Sequence, residues 1–450
     1  MTQTARKSSE WYRERFDAFE KSLNGETGSP LHAHRRDAIA WFEERGFPTT
    51  GEEEWRFTNV SPITTVPFFP APRGEAPPVE GKEIQRFFFE SVKTSRLVFV
   101  NGSFSPELST LGSLPGGVKA GSLARALEND SELVREHLLR QVPFDRNGFT
   151  ALNTAFVRDG GFIYVPDGTV VEEPIHLLFL ATGEEQPHFA GPRNLIVAGR
   201  NSGLSVVESF VSLTGGSYLT NVVTEFVLGE SAVVEHDKLQ MESAAAYHVS
   251  TTHVHQRATS NFTSNSIAFG GRLVRNDLSS YLGGEGVECT MNGLSVAAGD
   301  QLIDNHTAID HAMPNCSSHE LYKSILDGRS RGVFNGKIIV RKDAQKTDAK
   351  QTNRTLLLSD EATIDTKPQL EIFADDVKCT HGATVGQLDP EQLFYLRSRG
   401  LGEVEAKDIL TFGFASDVIK RVHIEALREQ LDRMLQTRLR LGRVVHQTQG

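Results

Sequence analysis

The sequence predicts a mainly β protein whose long core is flanked by helical regions at both ends. Three observations predict this fold class: many short strand-like runs in the middle of the chain, a loose repeat among those runs, and helical periodicity before and after them. We therefore expect an N-terminal helical region with a proline-rich linker at 1–95, a β core at 96–385 and a C-terminal helical domain at 386–450.

The N-terminal region is predicted to form two helices and a linker. Four apolar residues recur at spacings of four, three and four, which places them on one helix face: Tyr12, Phe16, Phe19 and Leu23. A second helix is expected from about Leu31 to Glu44, ended by Gly46 and Pro48. The stretch from Pro62 to Pro78 contains six prolines and is predicted to be a linker or an extended arm.

The core consists of short apolar runs, such as RLVFVNGSF and GKIIVRK, which are bounded by Gly, Asn, Asp or Ser and are typical of strands. A sandwich, a barrel and a β-solenoid are all compatible with such runs. Similar segments begin at Asn201, Gly229, Ala258 and Gly286, at a spacing of about 28 residues. This spacing favours the solenoid, with one coil of several short strands per repeat.

The C-terminal region is predicted to be helical again. Asp389 and Pro390 form a good helix start, Gly400 ends that helix, and a second helix is expected over 404–422. The last predicted helix carries a stripe of apolar residues: Ile424, Leu427, Leu431, Leu435 and Leu439. Such a stripe either packs against its own domain or binds a partner, and both interpretations stay open.

Composition and charge exclude several classes of function. The net charge of −11 disfavours nucleic-acid binding, and the locally basic stretch 329–354 is interrupted by Asp343 and Asp348, as on a solvated strand face. No apolar run is long enough to span a bilayer. The polar N-terminus does not resemble an export signal, so we expect a cytoplasmic protein, with the plastid stroma as the alternative.

The three cysteines, Cys289, Cys316 and Cys379, fit a reducing compartment better than a disulfide framework. The sequence has no CxxC pair, so this chain alone offers no complete thiolate cage for a metal or a cluster. It also has no phosphate loop, nucleophile elbow, zinc-binding HExxH helix or dinucleotide fingerprint. These common signatures of enzymes are therefore missing.

Two groups of residues are weaker candidates for metal binding. Four potential ligands lie close together in the sequence: His306, His311, Cys316 and His319. Their spacing matches no zinc pattern, so structural roles are favoured over a metal site. His253 and His255 would share one face of a strand, and exposed sheet histidines explain them equally well.

A sharper candidate lies in the segment ADDVKCTHGATVG, where Cys379 and His381 are separated by a single residue. On a strand they share a face, with Cα atoms roughly 6.5–7 Å apart. Iron accepts both a thiolate and an imidazole, but two ligands are not a site, so a second chain would have to supply the others. The alternative, a buried cysteine beside a hydrogen-bonded histidine, stays open.

The same segment also resembles a known family. The run TKPQLEIFADDVKCTHGATVGQLD, Thr366 to Asp389, resembles the C-terminal core motif of SufD proteins, and Tyr322 to Ala362 resembles the block shared by SufB and SufD. EEWRFTNV near Glu53 is similar to the N-terminal signature, and the segment after Asn153 is similar to the entry into the core. An extra cysteine-rich segment, usual in SufB, is absent from the sequence, so the resemblance is to the SufD branch of the SufB/SufD family.

This resemblance implies a right-handed parallel β-helix between N- and C-terminal helical domains. It also implies a complex with SufB, a paralogous β-helix that would make contact near the end of the core. The ATPase SufC would dock on the C-terminal helices, within Asp389 to Gly442. Hydrolysis of ATP would then belong to SufC, and a homodimer is expected when this chain is expressed alone.

The resemblance further implies a site and a function. The histidine that corresponds to His381 is implicated in cluster formation at the SufB–SufD interface, together with a SufB cysteine, and Cys379 is the weaker candidate. Thr380 stands where a serine is common in the family, which is a small departure. The expected function is a non-catalytic scaffold that shares a transient iron–sulfur cluster, or iron, with SufB. The rival function, a β-helix enzyme that degrades a polysaccharide, is disfavoured because such enzymes usually carry an export signal.

Overall fold

The computed structural model describes residues 3–23, 29–71, 79–89, 95–183 and 186–447. Ten α-helices occur in these residues: α1 (Gln3–Lys21), α2 (Pro30–Arg45), α3 (Ser61–Thr64), α4 (Gly81–Ile84), α5 (Leu123–Asn129), α6 (Ser131–His137), α7 (Gly148–Ala155), α8 (Pro390–Ser398), α9 (Glu403–Ile419) and α10 (Glu425–Gln447). Short 3₁₀ helices lie at Glu53–Trp55, Gln85–Phe87 and Phe144–Arg146.

The strands form two sheets, and the chain passes from one sheet to the other at nearly every strand. The strands of the described residues are β1 (Phe69–Pro70), β2 (Ser95–Val100), β3 (Ser103–Thr110), β4 (Lys119–Ser122), β5 (Gly161–Val165), β6 (Ile175–Ala181), β7 (His188–Ala190), β8 (Arg193–Ala198), β9 (Gly203–Ser212), β10 (Tyr218–Leu228), β11 (Val233–Met241), β12 (Tyr247–Gln256), β13 (Asn261–Ala268), β14 (Leu273–Leu282), β15 (Glu288–Ala297), β16 (Leu302–His311), β17 (Ser317–Leu326), β18 (Arg331–Val340), β19 (Asp348–Leu357), β20 (Thr363–Ile372) and β21 (Lys378–Gly386).

The order of the strands defines a parallel β-solenoid. The first sheet runs β20-β18-β16-β14-β12-β10-β8-β5-β4, and the second runs β21-β19-β17-β15-β13-β11-β9-β6-β2-β3. From β8 and β9 onward neighbouring strands are parallel, while β2 with β3 and β4 with β5 are antiparallel. Because consecutive strands alternate between the sheets, each coil contributes one strand to each sheet. The predicted parallel solenoid is therefore confirmed.

The number of residues per coil varies around the spacing of about 28 residues predicted from the sequence. The step from Tyr247 to its partner Leu273 is slightly shorter than the predicted repeat, and the step from Arg331 to its partner Thr363 is slightly longer. The strands themselves are longer than the apolar runs, because a coil holds two long strands instead of several short ones. Polar residues extend them: Asn305 and Thr307 of β16 are buried, so the apolar residues alone mark only part of each strand.

One corner of the solenoid repeats a left-handed residue in successive coils. The residues with positive φ at this corner are Gly168, Asn201, Ser231, Thr259, Gly286, Asn315 and Lys346. Each amide N–H donates to a carbonyl oxygen at the same corner of the next coil, as from Ser231 to Ala258 at 2.9 Å and from Asn315 to Gln345 at 2.9 Å. These hydrogen bonds form a ladder along the solenoid, parallel to its axis.

Apolar and polar side chains both fill the space between the two sheets. Phe226 of the first sheet and Phe262 of the second meet there with ring centroids 5.4 Å apart, and so do Tyr322 and Phe334 at 5.2 Å. A charged network is buried in the same space; in it Glu208 contacts His236 at 2.8 Å. Such charges are tolerated in an interior only when they are paired, and this pair meets that condition.

The N-terminal helices cover the outer face of the first sheet. The predicted face of α1 is confirmed, because Tyr12, Phe16 and Phe19 are buried in one cluster with Tyr247 of β12 and Leu273 of β14. This packing extends into the stretch predicted as a linker. Ile63 and Phe68 are fully buried, and β1 pairs with β7. Residues 62–71 are therefore packed instead of forming a free linker, and 69–70 fit the alternative of an extended arm, whereas 72–78 lie outside the described residues.

Three helices, α5 to α7, interrupt the stretch in which the sequence predicts mainly strands. They contain only seven or eight residues each, which is about two turns and too short for a clear helical period. A capping box marks the start of α7, where the Asn147 side chain accepts from the amides of Phe149 and Thr150. This cap is a local signal for a helix start that is independent of helical periodicity.

The C-terminal helices cover the outer face of the second sheet. Leu427, Leu431 and Leu435 are fully buried in one cluster with Leu239 and Leu294 of that sheet. The stripe of α10 therefore packs against its own chain, and the side chain of Leu439 lies outside the described residues. Among the described helices, none has both the length and the apolar character needed to cross a bilayer.

Candidate functional site

The last coil of the solenoid is open on one side. Within the described chain, β20 pairs only with β18 and β21 only with β19, so the outer edge of each strand has no neighbour. Three apolar side chains are exposed at this end: Ile372, Phe373 and Val385. Unpaired strand edges and exposed apolar groups are features of a surface that accepts another chain.

Cys379 and His381 lie on this open coil. In β21 they pair with Ala349 and Gln351 of β19, both of which are buried. Because alternate residues of a strand share a face, Cys379 and His381 both lie on the side of β21 that faces the solenoid interior. The predicted shared face is confirmed, and His381 is exposed because no further described coil covers it.

The two side chains differ in their surroundings. Cys379 is half-buried and packs beside a small cluster that includes Ala349 and Ala374. Burial raises the pKa of the Cys379 thiol, so the thiolate form that binds metals is disfavoured. In the part of the chain that the structure describes, no group of three or more His, Cys, Asp and Glu side chains is arranged to hold a metal ion.

A polar column lies directly beneath His381. Gln351 is followed inward by Glu320 of β17, and the Gln351 Nε2 donates to Glu320 Oε2 at 2.6 Å. Glu320 is fully enclosed, and burial raises its pKa to about 7. Neither residue was predicted from the sequence as part of a site. The signal that could have found them is the length of the coil, because Glu320, Gln351 and His381 occupy equivalent positions in three successive coils.

The four weaker candidates do not form a site. His306 lies beneath the N-terminal segment, with its ring 3.1 Å from Asp304 and 3.4 Å from Glu54. Burial favours its neutral ring, but the two carboxylates outweigh burial and raise the pKa of His306 to about 9. His311 has a different environment, because burial lowers its pKa to about 4 and its ring contacts Ser318 at 2.9 Å.

Cys316 and His319 are separated from these histidines. The Cys316 thiol donates to the carbonyl of Gly284 at 3.2 Å, and burial raises its pKa. His319 is exposed on β17, in the second sheet, whereas His306 and His311 belong to β16, in the first sheet. The structural interpretation of the four residues therefore fits their positions.

His253 and His255 share the outer face of β12, as the sequence predicts. His253 Nδ1 contacts Ser279 Oγ at 2.9 Å, and the ring of His255 stacks on Tyr281 with centroids 5.3 Å apart. Burial lowers the pKa of both histidines. They are neutral, packed residues of the sheet.

A second exposed apolar surface lies on the C-terminal helices. Phe394 and Tyr395 of α8 are 74% and 56% exposed, and Val404 and Ile409 of α9 are exposed as well. The Asp389 side chain begins α8 by accepting from the Glu391 amide at 2.9 Å, as predicted for a helix cap. We call these four apolar residues the α8–α9 patch. Exposed aromatic and aliphatic side chains are features of surfaces that bind other chains.

The fold and the site define a parallel β-solenoid with a cysteine–histidine pair on its open last coil. Two family models match the chain: "SUF system FeS cluster assembly, SufBD core domain" over 179–414 and "SufBD protein N-terminal region" over 6–177. The chain belongs to the SufBD family.

Three relatives show how far the similarity extends. An iron–sulfur cluster assembly SufBD family protein of Synechocystis is 33% identical, over 91% of this chain and 91% of its own length. The iron–sulfur cluster assembly protein SufD of Escherichia coli is 30% identical over 86% of this chain and 88% of its own. The protein ABCI7, chloroplastic, of Arabidopsis thaliana is 30% identical over 92% of this chain and 88% of its own.

Proposed function

We propose that this chain is a non-catalytic scaffold subunit of the SUF machinery, in which His381 takes part in forming or receiving an iron–sulfur cluster at an interface with SufB. The observation that carries this proposal is the position of His381, which is exposed on the interior-facing side of a coil with unpaired edges. Membership of the SufBD family and the similarity to SufD proteins support the same role.

The open coil is the proposed contact with SufB. A paralogous β-helix can place its own last coil against β20 and β21, which would satisfy their edges and cover Ile372, Phe373 and Val385. A second copy of this chain offers the same surface, so we expect a homodimer when SufB is absent. The cytoplasm, or the plastid stroma, is the proposed location.

The chemistry of the two side chains assigns His381 the main role. An imidazole is a good ligand for iron, and in contact with SufB it would contribute one ligand while SufB supplies the others. The half-buried Cys379 is the weaker candidate, because its raised pKa keeps the thiol protonated. A transient cluster, or iron, shared with SufB is therefore the proposed substrate, and no cofactor is held tightly by this chain alone.

The α8–α9 patch is the proposed docking site for the ATPase SufC. It lies within Asp389 to Gly442, and its members Phe394 and Tyr395 belong to a helix that buries none of its residues against the rest of the described chain. The sequence has no phosphate loop, so ATP hydrolysis would be the task of SufC. Movement of SufC could then rearrange the coil that carries His381.

Assembly of the cluster on the co-expressed complex tests this function. We expect His381→Ala to form the complex with SufB and SufC but to lose most of the iron and sulfide per complex under anaerobic conditions. The matched control is His34→Ala, which removes an exposed histidine from α2 instead of the open coil. Unchanged cluster content in His381→Ala would show that His381 is structural and would end the proposal.

A further inference from the structure

The polar column beneath His381 contains a buried hydrogen-bond acceptor, Gln351 Oε1, to which no described residue donates. Gln351 is 2% exposed, and its Oε1 receives no hydrogen bond from the described residues. An amide oxygen left without a donor in an interior costs free energy, so such an atom calls for a structural or functional reason.

The orientation of this amide is fixed by its neighbour. Gln351 Nε2 donates to the carboxyl of Glu320, one coil further in, at 2.6 Å. Since Nε2 is the amide atom that contacts Glu320, Oε1 is left for another donor. The other neighbour of Gln351 in the column is His381, which pairs directly with it.

The opposite sheet leaves room for this arrangement. Gly336 of β18 faces Gln351 across the interior, and a Cβ atom at position 336 would lie 2.3 Å from Gln351 Nε2. A side chain there would displace the amide. The glycine therefore allows Gln351 to extend into the interior and to contact Glu320.

We propose that Gln351 is a positioning residue for His381: the exposed His381 side chain, which makes no hydrogen bond to Gln351 in the structure, rotates so that one of its ring nitrogens donates to Gln351 Oε1, and Glu320 holds the amide in place. This inference rests on the proposed function of His381 and adds a residue to it. A histidine that ligates a metal commonly donates its second ring N–H to a carbonyl or a carboxylate. That bond selects one tautomer, so the other nitrogen carries the free lone pair and is turned toward the partner chain.

The tautomer of His381 is the quantity that tests this inference. The full chain can be labelled with ¹⁵N-histidine, and the ring signals of His381 can be identified as those that disappear in His381→Ala. We expect one dominant neutral tautomer in the unaltered chain. Gln351→Met removes the acceptor at similar length and should change the tautomer ratio by about fivefold, which is the effect of one ordinary hydrogen bond.

Two further variants make the result specific. At about pH 9, above the pKa of Glu320, its carboxylate only accepts hydrogen bonds, whereas Glu320→Gln also donates; in this variant the Gln351 amide loses its fixed orientation and the tautomer ratio should move in the same direction. The matched control is Gln256→Met, which removes another fully buried amide, on β12, far along the chain from the last coil. We expect no change at His381 in that control.

The possible results separate the two proposals. If the signals of His381 are unchanged in Gln351→Met and Glu320→Gln, or change as much in Gln256→Met, the positioning role is refuted. If Gln351→Met does not fold, Glu320→Gln alone decides the question. The cluster assay is independent: loss of cluster in His381→Ala with an unchanged tautomer in Gln351→Met would remove the positioning role and leave the proposed function standing.

Discussion

His306 links the N-terminal segment to the first sheet through charge. Its ring lies between Asp304 on its own strand and Glu54 on the short helix Glu53–Trp55. Beside it, the guanidinium of Arg275 lies 4.2 Å from the ring centroid of Trp55 and pairs with Asp304 at 2.6 Å. These contacts join residues that are far apart in the sequence, so they stabilise the tertiary structure and not a local element.

The pKa of His306 predicts how stability depends on pH. It is about 9 in the folded chain and 6.5 in the ordinary state, so the contribution is complete below pH 6.5 and is lost as the pH rises through 9. We expect the unfolding free energy of the unaltered chain, minus that of His306→Gln, to fall by about 3 kcal/mol between pH 6 and pH 10. Chemical denaturation of both chains at several pH values measures this difference in unfolding free energy.

The matched control for this pH dependence is His255→Gln. Burial lowers the pKa of His255, so its effect on stability is confined to acid, below the ordinary pKa of histidine. A difference between the unaltered chain and His306→Gln that stays constant from pH 6 to pH 10 would contradict the assigned ion pair.

Single residues were predictable only where their partners are close in the sequence. The shared face of Cys379 and His381 follows from a spacing of two, which any strand fixes. Gln351 lies one full coil before His381, and finding it requires the register of the coils. The pair of His306 and Glu54 was not predictable, because no local rule relates an N-terminal turn to a strand of the core.

The corner ladder is the element that most clearly repeats from coil to coil. Its left-handed position is easy for glycine and tolerable for asparagine, but unfavourable for a β-branched residue. Thr259 nevertheless occupies it, with φ at 56°. The backbone bond from its amide to the carbonyl of Glu285, at 2.8 Å, holds it there.

Substitution of Thr259 tests whether its left-handed backbone conformation costs stability. We expect Thr259→Asn to raise the unfolding free energy by about 1 kcal/mol, because asparagine adopts the left-handed region more readily. The reciprocal change at an equivalent corner, Asn201→Thr, should lower the unfolding free energy by a similar amount. Thermal and denaturant unfolding measure both, and a shift of the same sign in the two variants would contradict the explanation.

Long elements were predicted better than short ones. The stripes of α1 and α10 extend over several turns, so their period is clear, and the cap of α8 is a local signal. The short helices α5 to α7 were missed because two turns contain too few residues to show a period. The packing of the proline-rich stretch was not predictable, because proline composition does not reveal that Ile63 and Phe68 are buried.

At the scale of the whole molecule, two exposed apolar surfaces have separate proposed partners. One is the open coil with Phe373, and the other is the α8–α9 patch with Phe394. We expect Phe373→Asp to reduce binding of SufB, or self-association, while SufC still binds. Phe394→Asp should reduce binding of SufC while SufB still binds. A buried aspartate without a partner should cost about tenfold or more in affinity.

Each of these variants is the matched control for the other. Co-purification of tagged chain with the two partners, followed by measurement of affinity, reads both interactions in one preparation. Loss of both partners in a single variant, with the chain still folded, would contradict two separate surfaces. Retention of both partners in both variants would contradict the surfaces themselves.

The alternation of apolar and polar residues along the strands could not distinguish a solenoid from a sandwich or a barrel. All three architectures alternate inward and outward residues with the same period of two, so the strand pattern cannot separate them. The loose repeat among the apolar runs favoured the solenoid, and the parallel register between equivalent strands confirms it. The positions of the helices on the outer faces depend on contacts between distant parts of the chain. The repeat among the strands of the core gives no information about these contacts.

The number of stacked coils fixes the length of the solenoid. Each coil adds about 4.8 Å along the axis, the spacing of neighbouring strands. The number of coils between the covering helices and β21 therefore sets how far Cys379 and His381 stand from the N-terminal end of the molecule. Removal of one whole coil would keep the corner ladder and the interior columns in register, yet would move the pair by that distance. The length of the core, more than any single side chain, thus determines where the open coil lies relative to the N-terminal helices.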